Sequence, residues 1–407
     1  MKYLKAAKLK NKTVLVRGSL DAPVDSALAA VADDFRLRAF LPSVELLLSQ
    51  GNRVIIVGKR GRPAGKRSKE LSLKPVAQRL AELLGYKFFE TSHKLPIDAA
   101  PHLIFYTGDF QEDKHQKQLA AVAKQDVVVL ENLEFYSKEL ANDAMFGKKL
   151  SRLADAYVND DFSKCHHLVA SIGSVTRYLP SFAGLLLEKE VRSLDEVFKR
   201  HKKPFVLLMG GIKISDKVQT LENLGKKADK ILLAGGLANL FFLAKGFEIG
   251  KSRVEEKGRK IAWQLEKNFK DKIVLPMDVV VADGKMDKDT IRVTQPHTIK
   301  TQESVYDVGP KTILAYAQVL KTAKTIVWNG PLGYFEKKPF HTATVALARV
   351  IGGVASRKAY VVVGGGETVD AVKMAHQLEH IDHVSTGGGA MLEYLAGKKL
   401  PGLEVLK

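Results

Sequence analysis

The chain has 407 residues, of which 45% are hydrophobic, and a formal net charge of +19. A chain this long exceeds one ordinary hydrophobic core, so we expect two domains. No apolar run reaches the ~18 residues of a membrane-spanning helix, and no apolar stretch follows the charged first residues, so we expect neither a membrane protein nor a secretory signal. Cys165 is the only cysteine, which rules out an internal disulfide and fits a cytoplasmic protein.

The positive charge does not by itself indicate nucleic-acid binding. Nucleic-acid binders concentrate their cations on one face or in one tail, whereas the lysines here are spread along the chain and mixed with acids. Small anionic substrates explain the charge more simply. We therefore expect small-molecule partners, with no nucleic acid and no membrane, and a monomer.

Strand-like apolar runs alternate with amphipathic helical runs through the whole sequence. In the first half they are Thr13–Arg17, Arg53–Val57, Leu103–Tyr106, Val127–Leu130 and Ala156–Val158, and in the second half Phe205–Met209, Ile231–Ala234, Ile273–Leu275, Thr325–Trp328 and Ala359–Val363. This alternation predicts two doubly wound α/β domains with parallel sheets, whose ligands gather at the carboxyl ends of the strands. The joint is expected near Leu179-Pro180, before one long amphipathic helix at Leu185–Phe198.

Two triple-glycine turns are the strongest local signal. An apolar strand stops at Gly364-Gly365-Gly366, and Glu367 and Thr368 then open a helical pattern; Gly387-Gly388-Gly389 repeats the design. Glycine lets the backbone approach a ligand, helix N-termini attract phosphate, and Glu367 offers an oxygen to a nucleotide's magnesium. The alternative for either run alone is an ordinary tight turn.

Other polar residues also follow strands. Gly210-Gly211 precedes Lys213 and Lys217, which either bind phosphates or form a solvated pair. Asn329 and Glu336 could meet phosphate or ribose, or could be a turn with an incidental acid. There is no Walker-type loop, so a P-loop kinase is not expected.

Basic residues collect at strand ends in the first half, and they include Arg17, Arg36, Lys59, Arg60, Arg62, Lys164, His166 and His167. Converging arginines would bind an acidic small molecule, although each residue singly is a common surface charge. Cys165-His166-His167 has no matching cluster elsewhere, so a metal there is not expected.

These segments in this order resemble phosphoglycerate kinases over nearly the whole chain. The matching landmarks are Asp33-Asp34-Phe35-Arg36-Leu37-Arg38, Gly61-Arg62-Pro63, Ser72-Leu73-Lys74-Pro75, Glu131-Asn132-Leu133, Val158-Asn159-Asp160, Gly210-Gly211-Ile212-Lys213, Leu275-Pro276-Met277-Asp278, Gly309-Pro310-Lys311-Thr312, Trp328-Asn329-Gly330-Pro331 and the two triple-glycine turns.

The resemblance implies two Rossmann-like domains joined by a hinge helix. Residues 1–183 would bind phosphoglycerate, with 392–407 packing back on them, and residues 184–391 would bind magnesium with ATP or ADP. The implied reaction is reversible phosphoryl transfer between 1,3-bisphosphoglycerate and ADP, giving 3-phosphoglycerate and ATP in glycolysis.

The resemblance also implies roles for individual residues. Lys213 and Arg36 would be catalytic, Glu367 would bind the metal, and Gly387, Gly388 and Gly389 would bind phosphate. The substrate site would comprise Ser19, Asp21, Arg36, Lys59, Arg60, Arg62, Glu134 and His167, and the nucleotide site Lys213, Lys217, Gly235, Asn329, Glu336, Gly364, Gly365, Gly366, Glu367 and Thr368.

Departures from the family pattern cluster in the first half. Ser19, Asp21 and Lys59 replace an aspartate, an asparagine and a histidine, and Glu134 and His167 stand where the family has substrate-binding arginines. Replacing an arginine by Glu134 changes the local charge by two units. In the second half Glu367 replaces an aspartate, while Ala234 and Val305 replace glycines beside the nucleotide.

Two hypotheses follow from these departures. The first is a working phosphoglycerate kinase, with activity reduced by a remodelled substrate site. The second is a family member that binds nucleotide but has lost transfer, or that acts on a different phosphorylated acid.

Overall fold

The computed structural model describes residues 1–97 and 100–407. The chain divides into two compact units, the first comprising Met1–Val191 with Lys399–Lys407 and the second comprising Arg192–Lys398. We treat each unit separately below.

Most elements are short and alternate between strand and helix. The described strands are β1 (Thr13–Gly18), β2 (Val24–Asp25), β3 (Ala30–Val31), β4 (Arg53–Val57), β5 (Lys87–Thr91), β6 (His102–Tyr106), β7 (Val127–Leu130), β8 (Ala156–Asp160), β9 (Ser181–Ala183), β10 (Phe205–Met209), β11 (Lys230–Leu233), β12 (Ile273–Val274), β13 (Val279–Ala282), β14 (Arg292–Thr294), β15 (Ser304–Val308), β16 (Thr325–Asn329), β17 (Tyr360–Gly364) and β18 (His383–Ser385). The described α-helices are α1 (Leu4–Ala7), α2 (Phe35–Ser49), α3 (Lys74–Leu84), α4 (Asp113–Ala120), α5 (Ser137–Leu140), α6 (Ala144–Ser151), α7 (Leu185–Arg200), α8 (Val218–Lys227), α9 (Gly235–Ala244), α10 (Arg259–Phe269), α11 (Pro310–Thr322), α12 (Thr342–Ala355), α13 (Gly366–Met374), α14 (Gly388–Leu395) and α15 (Pro401–Glu404).

The first unit is built on a seven-stranded parallel sheet in the order β5-β6-β7-β4-β1-β8-β9. Its central strands are buried along nearly their whole length, which is why each reads as a continuous apolar run. The carboxyl ends of β7, β4, β1 and β8 therefore lie side by side at one edge of the sheet, where a ligand site is expected. Strands β2 and β3 form a separate antiparallel pair.

The second unit contains a six-stranded parallel sheet in the order β12-β11-β10-β16-β17-β18. A smaller antiparallel sheet of β14, β13 and β15 accompanies it. The core is apolar and includes Trp328, which is fully buried and donates its indole N–H to the carbonyl of Gly330 at 2.9 Å. The largest side chain of β16 thus ties that strand to the turn that follows it.

The prediction of two parallel-sheet α/β domains is confirmed. The predicted runs Arg53–Val57, Val127–Leu130 and Phe205–Met209 coincide with β4, β7 and β10, and the predicted long helix at Leu185–Phe198 is α7. The boundary between the two compact units falls within α7. Among the described residues, no helix is both long enough and apolar enough to cross a membrane.

Candidate functional site

In the second unit, two turns that follow neighbouring strands pack backbone against backbone. The N–H of Gly210 donates to the carbonyl of Asn329 at 2.9 Å, and the N–H of Gly211 donates to the carbonyl of Pro331 at 3.0 Å. A Cβ on Gly210 would lie 2.0 Å from the Pro331 oxygen, and Gly330 has a φ of 92°. Only glycine permits this approach, so both turns are held at the carboxyl edge of the sheet.

Asn329 and Thr368 extend the connection to the first triple-glycine turn. The Asn329 amide donates to the carbonyl of Gly364 at 2.7 Å, and the Thr368 hydroxyl accepts the N–H of Gly330 at 2.7 Å. Both side chains are buried. They therefore fix the relative positions of three predicted site segments.

Three helices begin beside these turns. Helices α9, α13 and α14 start at Gly235, Gly366 and Gly388, and no side chain caps any of their N-termini. A Cβ on Gly388 would lie 3.0 Å from Gly365, so the two triple-glycine turns touch, whereas a Cβ on Gly366 would meet nothing within 4 Å. Backbone N–H groups facing open space at a helix start are suited to binding phosphate.

Lys217 is the most unusual side chain of this region. It is only 8% exposed, and within the described residues no hydrogen bond or ion pair is formed by its ammonium. Burial lowers the pKa of Lys217. The negative charges of Asp216 and Glu367 oppose this shift, and the positive charge of Lys213 adds to it. A buried ammonium without a hydrogen-bond acceptor is costly, and an anionic ligand would supply the missing oxygens.

Lys213 and Glu367 complete the charged part of this site. Both are exposed, and both interact electrostatically with Lys217. Glu255, which the sequence did not indicate, accepts the N–H of Ser215 at 3.0 Å and so holds the loop between the two lysines. The N–H of Ser215, helped by the charge of Lys213, holds the pKa of Glu255 below its usual range, although burial acts in the opposite direction.

The remaining predicted nucleotide residues frame this group. Gly235 has a φ of 61°, and its Cβ would lie 3.1 Å from the nitrogen of Gly211. Glu336 is exposed on the loop after β16. Ala234 is fully buried in the core, so its methyl group packs against the protein.

In the first unit, Asp21 joins two other predicted substrate residues, Arg36 and Lys59. Its carboxylate accepts the N–H of Gly61 at 2.8 Å, pairs with the ammonium of Lys59, and lies 3.8 Å from Nη1 of Arg36, which also donates to the Asp21 carbonyl at 3.0 Å. Burial opposes ionisation of Asp21, but Lys59 and the Gly61 N–H hold its pKa below the usual value. Asp21 therefore stays anionic and gathers two cations.

The loop after β4 is fixed from both sides. Asn132 donates to the carbonyl of Arg60 at 2.7 Å, and the Arg60 guanidinium donates to the carbonyls of Glu70 and Ser72 at 2.5 and 3.2 Å. Arg62, on the same loop, is exposed, and its guanidinium has no hydrogen bond or ion pair among the described residues. The structure thus brings Arg36 and Lys59 together, directs Arg60 toward backbone, and leaves Arg62 available.

Glu134 is buried and paired. Its carboxylate accepts a hydrogen bond of 2.6 Å from Lys164, and their side chains are 4% and 15% exposed. The sequence placed Lys164 after β8 but gave it no role. A residue thirty positions along the chain thus compensates the acid that replaces an arginine.

Ser19 and His167 are the remaining predicted substrate residues of this unit. Ser19 is buried, and its hydroxyl has no hydrogen-bond partner in the part of the chain that the structure describes. His167 is exposed, and its ring centroid lies 4.0 Å from that of His166. The Ser19 hydroxyl therefore makes no hydrogen bond to Asp21, Arg36 or Lys59 among the described residues.

Protein side chains alone offer little to bind a metal ion in the described residues. Residues 1–97 and 100–407 hold no group of three or more His, Cys, Asp or Glu side chains that could bind a metal. Glu367 stands at the start of α13 and, with Asp216 and Glu255, is one of the carboxylates whose charge acts on Lys217. One carboxylate combined with phosphate oxygens is how magnesium is commonly bound with a nucleotide, so the residues fit such an ion.

The chain has two parallel-sheet units, with glycine turns, helix starts and cations at the ends of their strands. These features define an α/β phosphate-binding protein.

Comparison with known proteins identifies the family within this class. The family model described as Phosphoglycerate kinase matches residues 4–398. The chain is 40% identical to a phosphoglycerate kinase of Moorella thermoacetica, covering 99% of this chain and 98% of that protein, and 41% identical to one of Borrelia garinii subsp. bavariensis, covering 97% and 96%.

Solved structures agree with these sequence comparisons. The phosphoglycerate kinase of Coxiella burnetii matches with a TM-score of 0.81 and 35% identity over 99% of this chain and 98% of that one. The enzyme of Pyrococcus horikoshii OT3 matches with a TM-score of 0.84 and 30% identity over 100% and 98%. The chain belongs to the phosphoglycerate kinase family and is a phosphotransferase.

Proposed function

We propose that this chain transfers a phosphoryl group reversibly between 1,3-bisphosphoglycerate and ADP, with the nucleotide as its magnesium complex. Family membership supports the reaction. The observation in this chain that carries the proposal is Lys217, a largely buried lysine near Gly211 whose ammonium makes no hydrogen bond or ion pair among the described residues. The charges of Lys213 and Glu367 act on it.

In the second unit, the phosphates of the nucleotide are assigned to Lys217 and to the N–H groups at the start of α13. Glu336 is assigned to a ribose hydroxyl, and Gly387–Gly389 with Gly235 border the phosphates. Asn329 and Thr368 are assigned to holding these turns, since their side chains already bond to Gly364 and Gly330. Glu367 would hold the magnesium ion, which when bound would neutralise charge on the phosphate oxygens.

In the first unit, the phosphoglycerate is assigned to Arg36, Lys59 and Arg62, with Asp21 holding the first two in place. Arg60 shapes the loop through its bonds to Glu70 and Ser72. Fixed arginine geometry suits carboxylate and phosphate groups, so Arg36 and Arg62 carry most of the expected affinity.

The chemistry needs no covalent intermediate. In the direction of ATP consumption, a carboxylate oxygen of 3-phosphoglycerate bonds to the terminal phosphorus of ATP, the bond from that phosphorus to its bridging oxygen breaks, and the electron pair leaves with ADP. Positioning and charge neutralisation lower the barrier. Lys213 is exposed and repelled by Lys217, so its ammonium is free to follow the moving phosphoryl group.

The substitution Lys213→Ala tests this mechanism. We expect the turnover number to fall by about 10²- to 10³-fold while the dissociation constant for ADP rises less than about threefold, because the charge matters most in the transition state. Turnover is measured with 3-phosphoglycerate and magnesium-ATP, and affinity by calorimetry. Lys226→Ala, at an exposed position on α8, is the control and should change neither. Equal losses of turnover and affinity would contradict the role of Lys213.

We further infer that the protein works in the cytoplasm as a monomer on small molecules. The single cysteine and the acidic substrates support this inference. Gel filtration of the full chain, with the apparent mass compared with 44.8 kDa, tests the monomer.

A further inference from the structure

Five charged side chains meet at the carboxyl ends of β1, β7 and β8. Arg17 is fully buried, with its guanidinium 3.3 Å from a carboxylate oxygen of Asp161 and 3.9 Å from one of Glu139. Glu134 and Lys164 form the second part of the group, at 2.6 Å. Charges are rarely buried without partners, so these contacts divide the cluster into two sets.

The inner set balances its own charges, although the nitrogens of Arg17 have no hydrogen-bond partner among the described residues. Glu139 also accepts the N–H of Ser171 at 2.9 Å and its hydroxyl at 2.5 Å, and Asp161 accepts the hydroxyl of Ser163 at 2.6 Å. Burial raises the pKa of Glu139, although Arg17 and Ser171 favour its anion. Glu139 and Asp161 therefore balance the charge of Arg17, whose side chain is fully buried.

The outer set faces the proposed substrate loop. The N–H of Glu134 donates to Asn132 at 3.1 Å, and its carbonyl accepts the N–H of Gly65 at 3.0 Å. Asn132 also holds the carbonyl of Arg60, so Glu134 is fixed against the loop that carries Arg62. These bonds fix the backbone of Glu134 beside the loop, and its carboxylate pairs with Lys164, whose side chain is the more exposed of the two.

We infer that Lys164 is a specificity-determining cation of the phosphoglycerate site, and that Glu134 is the positioning residue that holds its ammonium. This inference rests on the proposed function. Lys164 supplies the positive charge that the resemblance places at position 134. Because Glu134 compensates much of that charge, an anionic substrate is attracted less than it would be by an unpaired arginine.

The two partners therefore have opposite effects on substrate affinity. Removing Lys164 takes away attraction, whereas neutralising Glu134 takes away repulsion and exposes the full charge of Lys164. A purely structural ion pair would behave differently, because loss of either partner would weaken binding in the same direction.

The test compares Lys164→Met, Lys164→Arg and Glu134→Gln in the full chain. For Lys164→Met we expect the KM for 3-phosphoglycerate to rise about tenfold, with kcat and the KM for magnesium-ATP changed less than about threefold. Lys164→Arg should restore most of the affinity, and Glu134→Gln should lower the KM about threefold. Lys148→Met, an exposed lysine of the same unit, is the control and should match the wild type.

Lys164→Met leaves a buried carboxylate without its cation and can destabilise the protein. The double variant Lys164→Met with Glu134→Gln removes both charges, so no buried charge is left without a partner. Its KM for 3-phosphoglycerate is expected to stay above that of the wild type. Thermal melting of every variant separates folding from binding.

Two results would overturn the inference. One is a wild-type KM in a folded Lys164→Met or double variant, and the other is a change of KM in the same direction for Lys164→Met and Glu134→Gln. If the wild type itself neither turns over nor binds 3-phosphoglycerate by calorimetry, the proposed function fails and the inference fails with it. If the wild type is active and only these variants disagree, the inference alone is wrong.

Discussion

At the scale of single residues, most of the charged site could be proposed from the sequence, but its pairing could not. Lys59 and Arg62 stand out because they follow a strand of the parallel sheet, and Arg36 because it opens the first long helix; the resemblance implies their substrate roles. Glu134 was identified as a departure, yet nothing local indicated that Lys164 would cover it. This contact depends on where β7 and β8 lie in the order of strands in the sheet. The periodicity of the sequence does not predict that order.

Burial, too, became visible only in three dimensions. Asp307 looks like an ordinary strand residue in the sequence, but it is 2% exposed and accepts the N–H groups of Ala343 and Val308 at 3.0 and 2.9 Å. Ala343 lies in the first turn of α12, so Asp307 satisfies the start of that helix. Burial raises its pKa to about 7 although both N–H groups favour the anion.

This raised pKa predicts a pH dependence of stability. Between about pH 4, where the carboxyl titrates in the unfolded chain, and about pH 7, the folded state holds the extra proton. The contribution of Asp307 to the free energy of unfolding is therefore complete below pH 4 and is lost as the pH rises through 7. Relative to Asp307→Asn, the wild type should lose up to about 1.4 kcal/mol per pH unit in this range.

Urea unfolding followed by tryptophan fluorescence measures this difference. Both tryptophans, Trp263 and Trp328, lie in the second unit with Asp307, so the signal reports on the relevant part of the chain. Asp289→Asn, at an exposed position, is the control and should keep the slope of the wild type. An unchanged slope in Asp307→Asn would show that another group is responsible.

At the scale of elements, the continuous apolar strands were predicted well because burial on both faces leaves a simple pattern. The edge strands β5, β9 and β18 and the antiparallel strands β13, β14 and β15 were missed. They are short, and most include half-buried or exposed positions, so their apolar runs are too brief to stand out. Helix α13 begins at Gly366, inside the glycine turn, rather than after it.

Two adjacent glycines in that turn should respond differently to alanine. Gly365 has a φ of 97°, and its Cβ would lie 3.0 Å from the Asn329 amide, whereas Gly366 opens α13 and faces free space. Gly365→Ala should therefore lower the melting temperature by a few degrees, on the order of 1 kcal/mol or more. Gly366→Ala should keep or raise it, since alanine favours a helix by about 1 kcal/mol.

The same pair tests where the phosphates bind. Because the added methyl group of Gly366→Ala would occupy the proposed phosphate space, ADP affinity should fall about tenfold or more in a protein that melts normally. Calorimetry with magnesium-ADP and thermal melting give the two readouts. Unchanged ADP affinity in Gly366→Ala would place the phosphates elsewhere.

At the scale of the whole molecule, the ordered set of sequence motifs is enough to predict the family, and the family model and the relatives confirm it. The sequence alone could not decide whether the altered substrate half still works. The contacts of the first unit favour a substrate site that still binds its ligand. Asp21 holds Arg36 and Lys59 in place, and Lys164 compensates the charge of Glu134. The net charge of +19 should also favour encounter with anionic substrates.

The most direct measurement is a coupled assay of the purified full chain with 3-phosphoglycerate and magnesium-ATP, with ADP affinity measured in parallel. We expect turnover, with a KM for 3-phosphoglycerate higher than that of a family member carrying arginine at the position of Glu134. Tight ADP binding without any turnover would contradict the account and would make the chain a nucleotide-binding relative that has lost transfer.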